Sequence, residues 1–109
     1  MLHCLTAQAV HHQGHGAAVV VAGLVLTRQR PGSAGGVVFV TLEDETGVVN
    51  LIIWQRIAAR FRRQLLNAQL LGAIGTVQRA GEVVHVCVER LVDHTRALGQ
   101  LSTAARNFH

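Results

Sequence analysis

Residues Val37–Trp54, VVFVTLEDETGVVNLIIW, spell out a β-hairpin. Two apolar runs, Val37 to Leu42 and Val48 to Trp54, flank the polar centre Glu43-Asp44-Glu45-Thr46-Gly47. Runs rich in β-branched and aromatic residues read as strands, and a polar centre ending in glycine reads as the turn between them. In the first run Val38, Val40 and Leu42 alternate with Phe39 and Thr41. In the second, Val49, Leu51 and Ile53 alternate with Asn50, Ile52 and Trp54. Successive strand side chains point to opposite faces, so one face is an aliphatic core. The other gathers Phe39, Thr41, Asn50 and Trp54.

Upstream, Ala17 to Thr27 is aliphatic and β-branched, which predicts a largely buried first strand. Arg28-Gln29-Arg30-Pro31-Gly32-Ser33-Ala34-Gly35-Gly36 follows, with the composition of an exposed loop. Downstream, the period changes over Gln55–Asn67. Ile57, Ala58, Phe61 and Leu65 recur at helical spacing, with Arg56, Arg60 and Arg63 together on a solvated outer face and Arg62 beside them. Leu70–Val77 and Val83–Leu91 return to strand character around the turn Arg79-Ala80-Gly81-Glu82. In the last strand Val84, Val86 and Val88 alternate with His85, Cys87 and Glu89.

The resulting order, β-β-β-α-β-β, is that of an all-β fold with one helix. It is the five-stranded Greek-key OB barrel, with the helix plugging the barrel between its third and fourth strands. Residues 1–16 are expected to form an N-terminal helix over Leu2–Val10 and a polar His/Gly linker. Residues 17–91 form the OB-fold domain, and 92–109 a tail, weakly helical around Thr95–Leu101.

A chain of 109 residues supports one domain with a core that needs neither metal nor disulfide staples. Its apolar runs are shorter than a bilayer span and its start lacks the pattern of a secretory leader, so a soluble, cytoplasmic protein is expected. All ten basic residues are arginine against six acids, giving a net charge of +4. That balance favours polyanionic partners. A GC-rich gene would also favour arginine over lysine, but guanidinium additionally stacks on bases and grips phosphate in a bidentate way. Cys4 and Cys87 are expected as reduced thiols.

The carboxylates at Glu43-Asp44-Glu45 read as turn chemistry rather than a metal pair. Cys4, His11, His12 and His15 match no closed zinc-ligand spacing. His85 and Cys87 lie two apart on one strand without an orienting acid, so no catalytic set is expected. Neither a metal nor another cofactor is predicted.

The string Val21–Trp54, VAGLVLTRQRPGSAGGVVFVTLEDETGVVNLIIW, with Arg60-Phe61-Arg62-Arg63 and the closing Arg106-Asn107-Phe108-His109, resembles the C-terminal end of bacterial error-prone DNA polymerases. These are C-family enzymes related to the alpha subunit of DNA polymerase III. The similarity covers about Val19 to Leu91. It departs from the family at Asn107, where Asp is usual, at Gly35, where Lys is usual, and at Gln55, where Pro often follows the Trp. The polymerase body is absent from this chain, so the resemblance implies a non-catalytic OB module, a fragment or a split gene product of a translesion enzyme. The same outline occurs in anticodon-binding OB domains. The resemblance to those implies that Arg28, Phe39 and Asn50 contact unpaired bases.

The expected partner is single-stranded DNA. Phe39 and Trp54 would stack bases, Asn50 and Thr41 would contact base edges, and Arg28, Arg30 and Arg79 would hold phosphates. Rival readings are a protein-interaction module of a replication or repair complex, an anticodon-type RNA-binding domain, and a gene fragment without independent function.

Overall fold

The computed structural model describes residues 4–30 and 35–97. Pro31–Ala34 of the glycine-rich loop, the start of the N-terminal helix expected from Leu2, and the closing Arg106-Asn107-Phe108-His109 lie outside these residues. The elements are β1 (Cys4–Leu5), α1 (Ala7–His11), β2 (Ala18–Gln29), β3 (Val38–Asp44), β4 (Gly47–Ile53), α2 (Gln55–Arg60), α3 (Arg62–Asn67), β5 (Leu70–Ala80) and β6 (Val83–Asp93).

Strands β2 to β6 close a five-stranded barrel. The sheet order is β1-β2-β3-β4-β6-β5, and β5 pairs back onto β2. The β4–β6 pairing is parallel, while the β2–β3, β3–β4, β5–β6 and β2–β5 pairings are antiparallel. This is the expected OB architecture, and closure satisfies the backbone groups that an open sheet would leave at its edges.

The alternation read from the hairpin holds. Val38, Val40 and Leu42 of β3, Val49, Leu51 and Ile53 of β4, and Val84, Val86 and Val88 of β6 are all buried. One strand, β2, serves two partners. Ala18 to Leu24 pair with β5, and Leu24 to Gln29 pair with β3, with a register shift between Val25 and Thr27. Gly23 sits at that handover, where a Cβ would lie 2.7 Å from the Glu43 carbonyl oxygen. At Gly75, beside the β5 irregularity, a Cβ would approach the Cys87 carbonyl oxygen to 2.1 Å. Only glycine fits so close a strand crossing.

Four local expectations are corrected. The first strand continues to Gln29, so Arg28 is a strand residue rather than a loop residue. The single helix is two short ones, because Phe61 leaves helical geometry at φ −109°, ψ 31°. The break carries Leu65 into the barrel mouth, fully buried with Leu42 and Leu51. The strands around Gly81 are longer than expected, reaching Ala80 and Asp93, joined by a two-residue turn with Gly81 at φ 62°. Finally, Cys4 and Leu5 form a strand parallel to Val20 and Val21 instead of the start of a helix.

The expected linker is likewise bound to the barrel, with the Gly16 amide donating to the Val77 carbonyl at 2.7 Å and the Arg79 amide donating to His15 Nδ1 at 3.0 Å. Before it, Val10 and Ala7 of α1 are buried in the core. Among the described residues no helix is long and apolar enough to cross a membrane.

Candidate nucleic-acid interface

The core alternation of β3, β4 and β6 dictates what their outer faces present. Register places Gln29 beside Phe39, Phe39 beside Ile52, and Ile52 beside Cys87. One row further along, Thr27 lies beside Thr41, Thr41 beside Asn50, and Asn50 beside His85. Gln78 of β5 continues this second row next to His85. Cross-strand neighbours on one face lie about 4.5–5.5 Å apart between Cβ atoms. An aromatic and aliphatic row therefore runs alongside a row of hydrogen-bonding side chains.

Within the polar row the Thr41 hydroxyl donates to Asn50 Oδ1 at 3.0 Å. This fixes the Asn50 amide and leaves its Nδ2 as the outward donor. Phe39 is half-buried, which holds its ring in place while leaving part of it accessible. Trp54 follows the last residue of β4 in extended geometry and is 54% exposed. Thus Phe39, Thr41 and Asn50 form one contiguous patch, with Trp54 at its margin. Glu43 on β3 and Glu89 on β6 stand beyond opposite corners, both exposed. The band from Gln29 through Phe39 and Asn50 to His85 carries no acid.

The three arginines expected to hold phosphate are placed differently from one another. Arg30 is exposed just past the end of β2. Arg28 pairs with Val40, a core-facing residue, and so turns away from the outer face. Its Nε donates to the Leu65 carbonyl at 2.6 Å and its Nη2 to the Ala68 carbonyl, capping the C-terminal end of α3. Arg79 Nη2 donates to the carbonyls of His11 at 2.5 Å and Gln13 at 2.9 Å, closing the C-terminal end of α1. Cations at helix C-termini also face the negative end of the backbone dipoles. The guanidiniums of Arg28 and Arg79 thus both brace helices, whereas among the described residues that of Arg30 donates no such hydrogen bond.

The acidic turn is equally committed. Asp44 Oδ1 accepts from the Thr46 amide at 2.8 Å and hydroxyl at 2.6 Å, and Oδ2 accepts from the Ala7 amide at 2.7 Å. Burial tends to raise the Asp44 carboxyl. Hydrogen bonds from the Thr46 hydroxyl and from the backbone of Ala7, Thr46 and Gly47 outweigh it and hold the group below its ordinary value. Thr46 Oγ1 also accepts from the Gln8 amide, and Thr6 Oγ1 accepts from the Ala9 amide. The first three amides of α1 are thus satisfied by side chains. The Thr95 hydroxyl and backbone likewise lower the Asp93 carboxyl.

His85, Cys87, Gln29 and Ile52 belong to the outer face but were not among the residues expected to contact nucleic acid. Alternation does place His85 and Cys87 opposite the core set. What it lacks is the parallel β4–β6 pairing, which joins residues distant in sequence and brings His85 next to Asn50. Cys87 is half-buried and Cys4 exposed, both as free thiols.

Comparison with known proteins agrees with this geometry. Residues 19–93 match the family described as OB-fold nucleic acid binding domain. An error-prone DNA polymerase of Azoarcus sp. (strain BH72) is 51% identical over 105 residues, which is 96% of this chain and 10% of that protein. Error-prone DNA polymerase 1 of Rhizobium meliloti (strain 1021) is 49% identical over 90 residues, 83% of this chain and 8% of that protein. The chain therefore spans about a tenth of the length of these relatives. Among solved structures, asparaginyl-tRNA synthetase from Pyrococcus horikoshii superposes with a TM-score of 0.68 at 25% identity, over 86% of this chain and 23% of that one. The Stn1–Ten1 complex of S. pombe shares the fold, with a TM-score of 0.59 at 13% identity over 84% of this chain and 78% of that one. The chain belongs to the OB-fold nucleic acid binding domain family, and it matches the OB-fold region of bacterial error-prone DNA polymerases.

Proposed function

We propose that this domain is a non-catalytic module that binds single-stranded DNA in the cytoplasm, in the setting of error-prone translesion synthesis and repair. The observation that carries the reading is the acid-free band on the outer face, where Phe39 adjoins the Thr41–Asn50 pair and Trp54 stands at the margin. Phe39 and Trp54 stack bases, a contact indifferent to sequence because every base has a π-face. Asn50 and Thr41 meet base edges, with His85 beside them. Arg30 holds a phosphate, and Arg28 and Arg79 support the face through the helices they cap. The likeness to error-prone polymerases supports the DNA setting.

Fluorescence anisotropy of labelled oligo-dT at two salt concentrations tests this. Phe39→Ala is expected to weaken binding by about 1–3 kcal/mol, roughly 5- to 150-fold, with the thermal midpoint still cooperative. An unchanged affinity, or no binding by the unaltered protein at low salt, contradicts the reading. Competition between DNA and RNA oligomers separates it from an anticodon-type RNA-binding role, which the synthetase likeness supports.

One observation favours a second reading, a protein-docking module. Leu24, Leu26 and Leu66 are each 41–50% exposed around a 390 Å³ groove. Under that reading Leu66→Glu abolishes association with polymerase subunits and leaves oligonucleotide affinity unchanged.

A further inference from the structure

Arg30 and Arg62 come from different elements and line the same two adjoining hollows at the helix-covered end of the barrel. One hollow, of about 190 Å³, is floored by Val38, Leu65 and Leu66 and rimmed by Gln29, Arg30, Arg62 and the helix-bracing Arg28. The other, of about 180 Å³, lies between Arg30, Arg62, Gln55 and Gly36. No carboxylate lines either one. Among the described residues, the guanidiniums that donate hydrogen bonds are those of Arg28 and Arg79, and Arg30 and Arg62 are not so engaged.

Helix stability gives no reason for an arginine at position 62. It is the first residue of α3, whose first turn carries no acid, and a cation there opposes the backbone dipoles. The break at Phe61 is what separates it from the outer face of α2 and turns it towards β2. Two guanidiniums that donate no hydrogen bond among the described residues, set over an apolar floor, favour an anion that also brings apolar surface, as a sugar–phosphate backbone does and inorganic phosphate does not. Gln29 makes the hollows continuous with the base-binding band, because it lies beside Phe39 by register and rims the first hollow.

We infer that a single strand leaving the outer face at Phe39 passes Gln29 and lays its phosphodiester backbone between Arg30 and Arg62. The inference rests on the proposed single-strand-binding reading and extends its footprint across the helix-covered end. OB folds occupy about 4–16 nucleotides, so a short oligomer fills the band alone and a long one reaches the groove.

The test compares oligo-dT of ~4 and ~12 nucleotides on the unaltered chain, Arg62→Ala and Arg62→Lys, with thermal melts confirming that each variant is folded. Arg62→Ala is expected to weaken the long oligomer several-fold and to reduce its log–log salt slope by about 0.7. The short oligomer keeps its affinity, and Arg62→Lys restores most of the loss. Binding of the long oligomer that is indifferent to Arg62, or an equal loss at both lengths, overturns the groove and leaves the outer-face reading standing. Failure of the unaltered chain to bind either length overturns both.

Discussion

Arg28 reaches the carbonyls of Leu65 and Ala68, and Arg79 reaches those of His11 and Gln13, whereas Arg30 stands free of them. Charge-assisted hydrogen bonds of this kind contribute on the order of 1.5–3 kcal/mol when partly desolvated, and less at an exposed site such as Arg28. Arg28→Ala is therefore expected to lower stability by about 1–2 kcal/mol in urea unfolding. Arg30→Ala should leave the urea midpoint nearly unchanged and reduce the salt dependence of oligonucleotide binding instead. The reverse pattern would contradict the placement. Nothing in the sequence distinguishes these three arginines, since the carbonyls that engage Arg28 and Arg79 lie 37 to 68 residues away along the chain. Phe39, Thr41 and Asn50 were legible because alternation alone sorts them from the core residues that flank them. His85 was legible as outward-facing but not as Asn50's neighbour.

The β3–β4 hairpin does two jobs. Its turn is held by Asp44 and Thr46, and the same two side chains accept from the amides of Ala7 and Gln8 at the start of α1. The Asp44 carboxyl is depressed in the folded chain, so its contribution is fully present above the unfolded aspartate value of about 3.9 and is lost as pH falls through the lower folded value. Asp93, held down by Thr95, acts in the same direction. Asp44→Asn should accordingly be less stable than the unaltered chain at neutral pH, with the gap narrowing below about pH 4 when both are followed by chemical denaturation. A gap independent of pH would show that the ionised carboxylate is not what caps α1. The turn itself could be read from Asp-Glu-Thr-Gly, because it is local chemistry. The capping of α1 could not, because it joins a turn to a helix 37 residues away. The break at Phe61 was also hidden: Ile57, Ala58, Phe61 and Leu65 fit one uninterrupted helix on periodicity alone.

Closure of β2 to β6 leaves a barrel whose mouths both need covering. The α2–α3 pair follows one end of β4, and α1 lies against the opposite end, bound to the β3–β4 turn and to Arg79. Val10, 0% exposed, seals this second mouth. Val10→Ala should cost about 2 kcal/mol in unfolding while leaving oligonucleotide affinity unchanged. A negligible cost would mean that residues 4–17 are the appendage their composition describes rather than part of the core. The barrel order was readable from five alternating segments and one change of period. The N-terminal lid was not, since its five-residue helix is stabilised mostly by groups outside itself. The central proposal is that the outer face of this barrel holds a single strand. Amide chemical-shift mapping during titration with a ~12-nucleotide oligo-dT tests that most directly. The expected result is perturbation centred on Phe39, Thr41, Asn50, Ile52 and His85, extending through Gln29 to Arg62, with β1 and α1 unmoved. Shifts confined to other surfaces, or none at all, would contradict it.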